Sequence, residues 1–152
     1  MKEISLNILD IAENSVKAGA TLTEITVNET DDTLTLKISD NGCGMTAETL
    51  KSVTDPFYTT RTTRKVGLGI PLFKMEAEMT GGSFEISSEK GKGTSLCALF
   101  KLSSVDMIPL GDIGGTVQLL ITCNPKLDFL FTRSYRGAGE DRREFTLDTR
   151  EL

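Results

Sequence analysis

An α/β (α+β) sandwich, a mixed and largely antiparallel sheet with helices on one face, is the fold class this sequence predicts. Three observations lead there. An amphipathic stretch precedes two alternating segments joined by a polar turn, a second helical stretch precedes another strand pair, and glycines mark each change of period. With 152 residues the chain suits one compact core rather than two ordinary domains.

Each element follows from local pattern. Apolar residues at Ile4, Leu6, Ile8, Leu9, Ile11, Ala12 and Val16 leave a broad apolar stripe on a helix. Ala18-Gly19-Ala20 ends it, because glycine most easily takes the left-handed turn after a helix. Leu22, Ile25 and Val27, then Leu34, Leu36 and Ile38, alternate on either side of Asn28-Glu29-Thr30-Asp31-Asp32 and predict an antiparallel hairpin. The turn Asp40-Asn41-Gly42-Cys43-Gly44-Met45 follows, then a short helix over 46–53 and a Thr- and Arg-bearing loop over 54–65. Gly67-Leu68-Gly69 opens a helix running to about Met79, and Gly81-Gly82 closes it. Strands are expected over 83–88 and 94–102, around Glu89-Lys90-Gly91-Lys92-Gly93. Beyond Val105 glycines and prolines separate apolar runs at 117–122 and 127–131, then a loop over 136–143 and a weak strand over 144–152. The domain reading is therefore a unit over 1–104 with a strand-rich extension over 105–152.

Bulk properties narrow the function classes. A net charge of -5 gives no basic field for a phosphate backbone, so nucleic acid is excluded as a first reading. No run approaches the roughly 20 apolar residues of a membrane span, and the N-terminal residues lack a basic start before an apolar stretch, which predicts no membrane partner and a cytoplasmic location. Cys43, Cys97 and Cys123 are far apart with no histidine to complete a metal site. Lack of histidine also removes the usual general base and any phosphohistidine acceptor within this sequence, so a base must be a carboxylate, an amine or a thiolate.

Four motifs in order resemble the gyrase, chaperone, histidine-kinase and MutL (GHKL) ATPase superfamily. They are the Asn14-bearing helix, Asp40-x-Gly42-x-Gly44 after a hairpin, Gly67-Leu68-Gly69 at a helix start, and Gly91-Lys92-Gly93-Thr94 before a strand. Glu13-Asn14-Ser15-Val16-Lys17-Ala18-Gly19-Ala20-Thr21 is similar to MutL-type ATPases. Asp55-Pro56-Phe57-Tyr58-Thr59-Thr60-Arg61 is similar to the lid of sensor kinases. The resemblance covers residues 4–102 and implies a Bergerat-type ATP-binding fold with ATP and Mg2+ as ligands.

On that resemblance Asn14 offers an amide oxygen to a magnesium ion already held by phosphates. Asp10, one helical turn earlier on the same face, is the candidate general base. Hydrolytic relatives usually carry Glu there and kinases often Asn, so its shorter stem departs from both. Asp40 would accept the exocyclic amine of adenine, with Gly42 and Gly44 letting backbone pass close to the base and Thr94 adding a hydroxyl. Gly67, Leu68 and Gly69 would present free amides to phosphate at a helix start. Thr59, Thr60, Arg61 and Lys65 would close over the triphosphate, Lys65 standing where the family usually has glycine. Two readings stay open: an ATPase or protein kinase acting on a separate protein partner, and a nucleotide-dependent binding module, either of which could form a homodimer.

Overall fold

The computed structural model describes residues 3–53, 69–137 and 142–151. In chain order the elements are α1 (Ile4–Lys17), β1 (Leu22–Thr30), β2 (Thr33–Asp40), α2 (Ala47–Val53), α3 (Gly69–Met79), β3 (Ser83–Glu89), β4 (Gly93–Lys101), α4 (Ile113–Cys123), β5 (Asp128–Arg136) and β6 (Arg142–Asp148), then a 3-10 turn (Thr149–Glu151). Among the described residues the strands form one six-stranded sheet in the order β3-β4-β2-β1-β5-β6. Every neighbouring pair is antiparallel except β1 with β5, which run parallel from Leu22 opposite Asp128 to Thr30 opposite Arg136. This is the mixed, largely antiparallel sheet with helices on one face that the pattern predicts.

Alternation decides which face is covered. Ile25 and Val27, Leu34, Leu36 and Ile38, Leu96, Ala98 and Phe100, and Phe129 and Phe131 all point to the helical side and are at most 4% exposed. They meet Ile4, Ile8, Ile11 and Ala12 of α1, Phe73 and Ala77 of α3, and Ile113, Val117 and Leu120 of α4 in one core. Phe73 packs edge-on against Phe84 and tilted against Phe100, with centroids 6.4 and 5.5 Å apart. Leu6, expected in the stripe of α1, is 43% exposed on its outer side.

The C-terminal region differs from the expected run of strands. Residues 117–122 belong to helix α4, whose buried Ile113, Thr116, Val117 and Leu120 follow helical spacing. Asp112 caps it, accepting from the Gly115 amide at 2.9 Å. At the ends of the loop expected over 136–143, Arg136 belongs to β5 and Arg142 and Arg143 to β6. The final strand ends at Asp148 instead of running on to 152.

This region is also joined to the start of the chain. Glu3 makes no side-chain cap, and the Ile4 and Ser5 amides donate instead to the carbonyls of Pro109 and Leu110 at 2.9 and 2.8 Å. Gly111, with φ of +78°, allows that approach, since a Cβ there would lie 2.6 Å from Ser5 Oγ. At the other end of α1, Gly19 takes φ of +79° and the Ala20 amide returns to the Ser15 carbonyl at 3.1 Å.

Candidate functional site

The outer end of α1 and the ends of β2 and β4 enclose a cavity of about 230 Å³. Ile11, Ala18, Ile38, Met45, Ile70 and Leu96 make its walls apolar, while Asn14, Ser15, Asp40 and Thr94 place polar groups on it. A small number of fixed polar groups in an apolar slot is the arrangement that orients a flat heteroaromatic ligand.

Asp40 is held by three bonds. Its Oδ2 accepts from Ser15 Oγ at 2.7 Å, and its Oδ1 accepts from the Gly42 amide at 2.9 Å and the Thr94 amide at 3.4 Å. An ionised carboxylate has about four acceptor sites, so roughly one remains for a donor in the cavity. The turn that carries it is anchored on both sides. Asn41 Oδ1 accepts from the Thr21 and Leu22 amides at 2.9 and 3.0 Å, and the Cys43 amide donates to the Ala18 carbonyl at 2.9 Å.

The two glycines of this turn let the chain's own backbone pass close by. A Cβ on Gly42 would lie 2.9 Å from the Ala18 carbonyl oxygen and 3.1 Å from Asp40 Oδ1. Gly44 has φ of +68°, and a Cβ there would collide with the Glu89 carbonyl, although Gly44 itself lines the cavity.

Thr94 belongs to a second polar cluster. Ser88 Oγ accepts from the Met45 amide at 2.8 Å, donates to the Gly93 carbonyl at 3.0 Å and lies 2.8 Å from Thr94 Oγ1. With the Ser88 proton committed to Gly93, Thr94 donates to Ser88 and keeps its own lone pairs as acceptors.

Asp10 and Asn14 lie half-buried on α1, but only Asn14 lines the cavity. Asp10 stands against the start of α3, where a Cβ on Gly69 would lie 3.0 Å from its own Cβ. Gly69 thus lets α3 begin close to α1. Further along the same pair of helices, fully buried Asn7 donates through Nδ2 to Glu76 at 2.6 Å, and its Oδ1 has no partner among the described residues. Burial raises the Glu76 carboxyl above its ordinary 4.5, while the Asn7 bond pulls the other way. Thr59, Thr60, Arg61, Lys65, Gly67 and Leu68 lie outside the described residues.

Sequence reasoning missed Ser15 and Ser88. Ser15 was visible as a small polar residue four positions after Ile11 within the buried stripe. Ser88 carried no such signal, because its role depends on the pairing that sets Ser88 opposite Thr94. The three cysteines are free thiols, no group of three His, Cys, Asp or Glu side chains converges among the described residues, and no described helix is long and apolar enough to cross a membrane.

Comparison with known proteins shows the family and the fold. The family model described as "Histidine kinase-, DNA gyrase B-, and HSP90-like ATPase" matches residues 2–104. The Sensor protein SrrB of Staphylococcus aureus is 39% identical over 100 residues, which span 62% of this chain and 17% of that protein. A Shewanella frigidimarina protein described as a sensor is 32% identical over 107 residues, spanning 70% of this chain and 16% of its own. The chain thus spans about one sixth of the length of these curated relatives. A crystal structure of the N-terminal domain of a DNA repair protein superposes with a TM-score of 0.65 at 13% identity, covering 97% of this chain and 53% of that one, a likeness of fold. The chain belongs to the histidine kinase-, DNA gyrase B- and HSP90-like ATPase family, as an ATP-binding domain of the GHKL type.

Proposed function

We propose that the chain binds Mg-ATP with its adenine in the cavity beside Asp40, and that it acts as a slow ATPase or as a protein kinase on a separate partner. The observation that carries this is the Asp40 carboxylate, fixed by three hydrogen bonds in a slot with mostly apolar walls and with about one acceptor site left over. An adenine amine donates to that site, whereas the guanine carbonyl would face it lone pair to lone pair.

The remaining residues divide the work along α1. Asn14, at the cavity wall, has an amide oxygen that suits a magnesium ion whose other ligands are phosphates and water. When bound, that ion would neutralise charge on the phosphates. Asp10, one turn earlier on the same helix, would take the proton from an attacking water or hydroxyl. A second reading, a nucleotide-dependent binding module with little chemistry, draws support from the position of Asp10 outside the cavity wall and against α3.

Titration calorimetry tests the central claim. Asp40→Asn, which sets an amide where an acceptor is needed, should lose about 1 to 3 kcal/mol of ATP affinity. GTP should bind poorly to the parent protein. Unchanged ATP affinity in a folded Asp40→Asn variant would remove Asp40 from the site. Mass spectrometry of co-purifying proteins after incubation with ATP separates a kinase, which leaves phosphate on a partner, from an ATPase.

A further inference from the structure

The sheet ends at β6, and among the described residues no strand pairs with its outer edge. Five consecutive residues there, Arg142, Arg143, Glu144, Phe145 and Thr146, are exposed. Phe145 is 56% exposed even though its ring lies against Phe131, with centroids 6.1 Å apart. Natural edge strands are commonly blunted by charged side chains, lysine above all, by proline or by a bulge. β6 has no lysine or proline and its register against β5 runs unbroken from Arg142 to Asp148, while its charges, Arg142, Arg143, Glu144 and Asp148, are of both signs and so discourage a strand of one sign more than a reversed copy of β6 itself. Such an edge is a template for another strand.

We propose that a second copy of this chain pairs its own β6 antiparallel with this edge, on a two-fold axis through Phe145. The claim rests on the edge alone and is independent of the nucleotide reading.

Charge placement selects both the occupant and the register. The strand reads Arg142-Arg143-Glu144-Phe145-Thr146-Leu147-Asp148, with cations at one end and a carboxylate at the other, so it is complementary to itself when reversed. With the axis through Phe145, Arg142 of each copy lies opposite Asp148 of the other, on the sheet face away from the helices. The two Phe145 rings meet on the helical face and cover each other's exposed area. Moving the axis to Thr146 sets Glu144 opposite Asp148 twice, and like charges directly opposite are destabilising. Moving it to Glu144 removes both Arg142–Asp148 pairs. Asp148 already accepts from the Arg150 amide and Nε on Oδ1 at 3.0 and 2.9 Å and from Arg150 Nη2 on Oδ2 at 2.7 Å, so of its roughly four acceptor sites about one, on Oδ2, remains for Arg142. A two-fold contact of one edge with itself closes at two copies, and the result is one continuous sheet.

Sedimentation velocity on the full chain, between about 1 μM and 1 mM, tests this across the range of weak to moderate association. The parent should pass from monomer to dimer as concentration rises. Phe145→Glu, which opposes two carboxylates on the axis, and Arg142→Glu should each weaken the dimer at least tenfold, with circular dichroism unchanged. With Cys43 and Cys123 replaced by serine, since both are exposed thiols, Phe145→Cys should form a disulfide-linked dimer under mild oxidation that the same background with Phe145 intact does not form. A parent that stays monomeric throughout, or a dimer equally tight in Arg142→Glu and in Phe145→Glu, would overturn the proposal. Should Phe145→Glu fail to fold, absence of the Phe145→Cys cross-link overturns it as well.

Discussion

Asp40 is fixed from α1 as much as from its own turn, and that dependence makes Ser15 testable. Ser15→Ala removes the bond to Asp40 Oδ2 but leaves the two amides on Oδ1, so the carboxylate stays near its place with one oxygen free to wander. ATP affinity should fall by about 1 kcal/mol, less than for Asp40→Asn, and calorimetry on both variants gives the order. Asp10 and Asn14 separate differently. Asn14→Ala should weaken magnesium-dependent ATP binding, while Asp10→Asn should leave binding intact and slow single-turnover hydrolysis, because a base is needed only as the attacking group loses its proton. Hydrolysis at the parental rate in Asp10→Asn would favour the binding-module reading. The position of Asp40 was legible because Asp-x-Gly-x-Gly after an alternating strand leaves few conformations open. The work of Gly42 and Gly44 was not, since the groups that would clash, the Ala18 and Glu89 carbonyls, come from a helix end and a distant turn.

At the scale of elements, α1 is held to α3 by apolar packing and by one polar contact inside it. Asn7 is fully buried, and only its Nδ2 is bonded, to Glu76. Burial raises the Glu76 carboxyl pKa, so folding disfavours its charged form relative to the unfolded chain. The resulting contribution to stability is complete below the ordinary value of 4.5 and is lost as pH rises through the raised value. A protonated carboxyl can also donate to the otherwise orphaned Asn7 Oδ1, completing a two-bond ring. Glu76→Gln supplies that donor at every pH. It should raise stability near neutrality by about 1 kcal/mol and flatten the decline in melting temperature between acid and neutral pH. An unaltered pH profile of melting would show that Glu76 is not the group responsible. Helix α4 shows why some elements were read wrongly from sequence. Its apolar run over 117–122 is short enough to suit a strand, and Gly114 and Gly115 beside it suggest a turn, yet the buried Ile113, Thr116, Val117 and Leu120 carry the helical period.

For the molecule as a whole, the family match ends at residue 104, while the core does not. Ile113, Val117 and Leu120 of α4 and Phe129 and Phe131 of β5 share one buried cluster with α1 and β1, and the carbonyls of Pro109 and Leu110 serve the first amides of α1. A chain ending at residue 104 should therefore lose cooperative unfolding and bind a hydrophobic dye, which calorimetry and fluorescence would detect. A sharp transition like that of the parent would show that residues 105–152 are an addition to a self-sufficient unit. The hairpins β1–β2 and β3–β4 were readable because each pairs neighbours in the chain. The β1–β5 pairing was not, because nothing local to either strand names its partner. That pairing also has a consequence in time. Residues 106 apart must meet before the middle of the sheet is closed, as Asn28 and Ser134 show. At about 5 to 20 residues added per second, one edge of β1 waits roughly 5 to 20 s on the ribosome for its neighbour to be made. Throughout that interval an apolar strand is open to any other nascent chain, so the yield of soluble protein should depend on how quickly translation proceeds beyond β1.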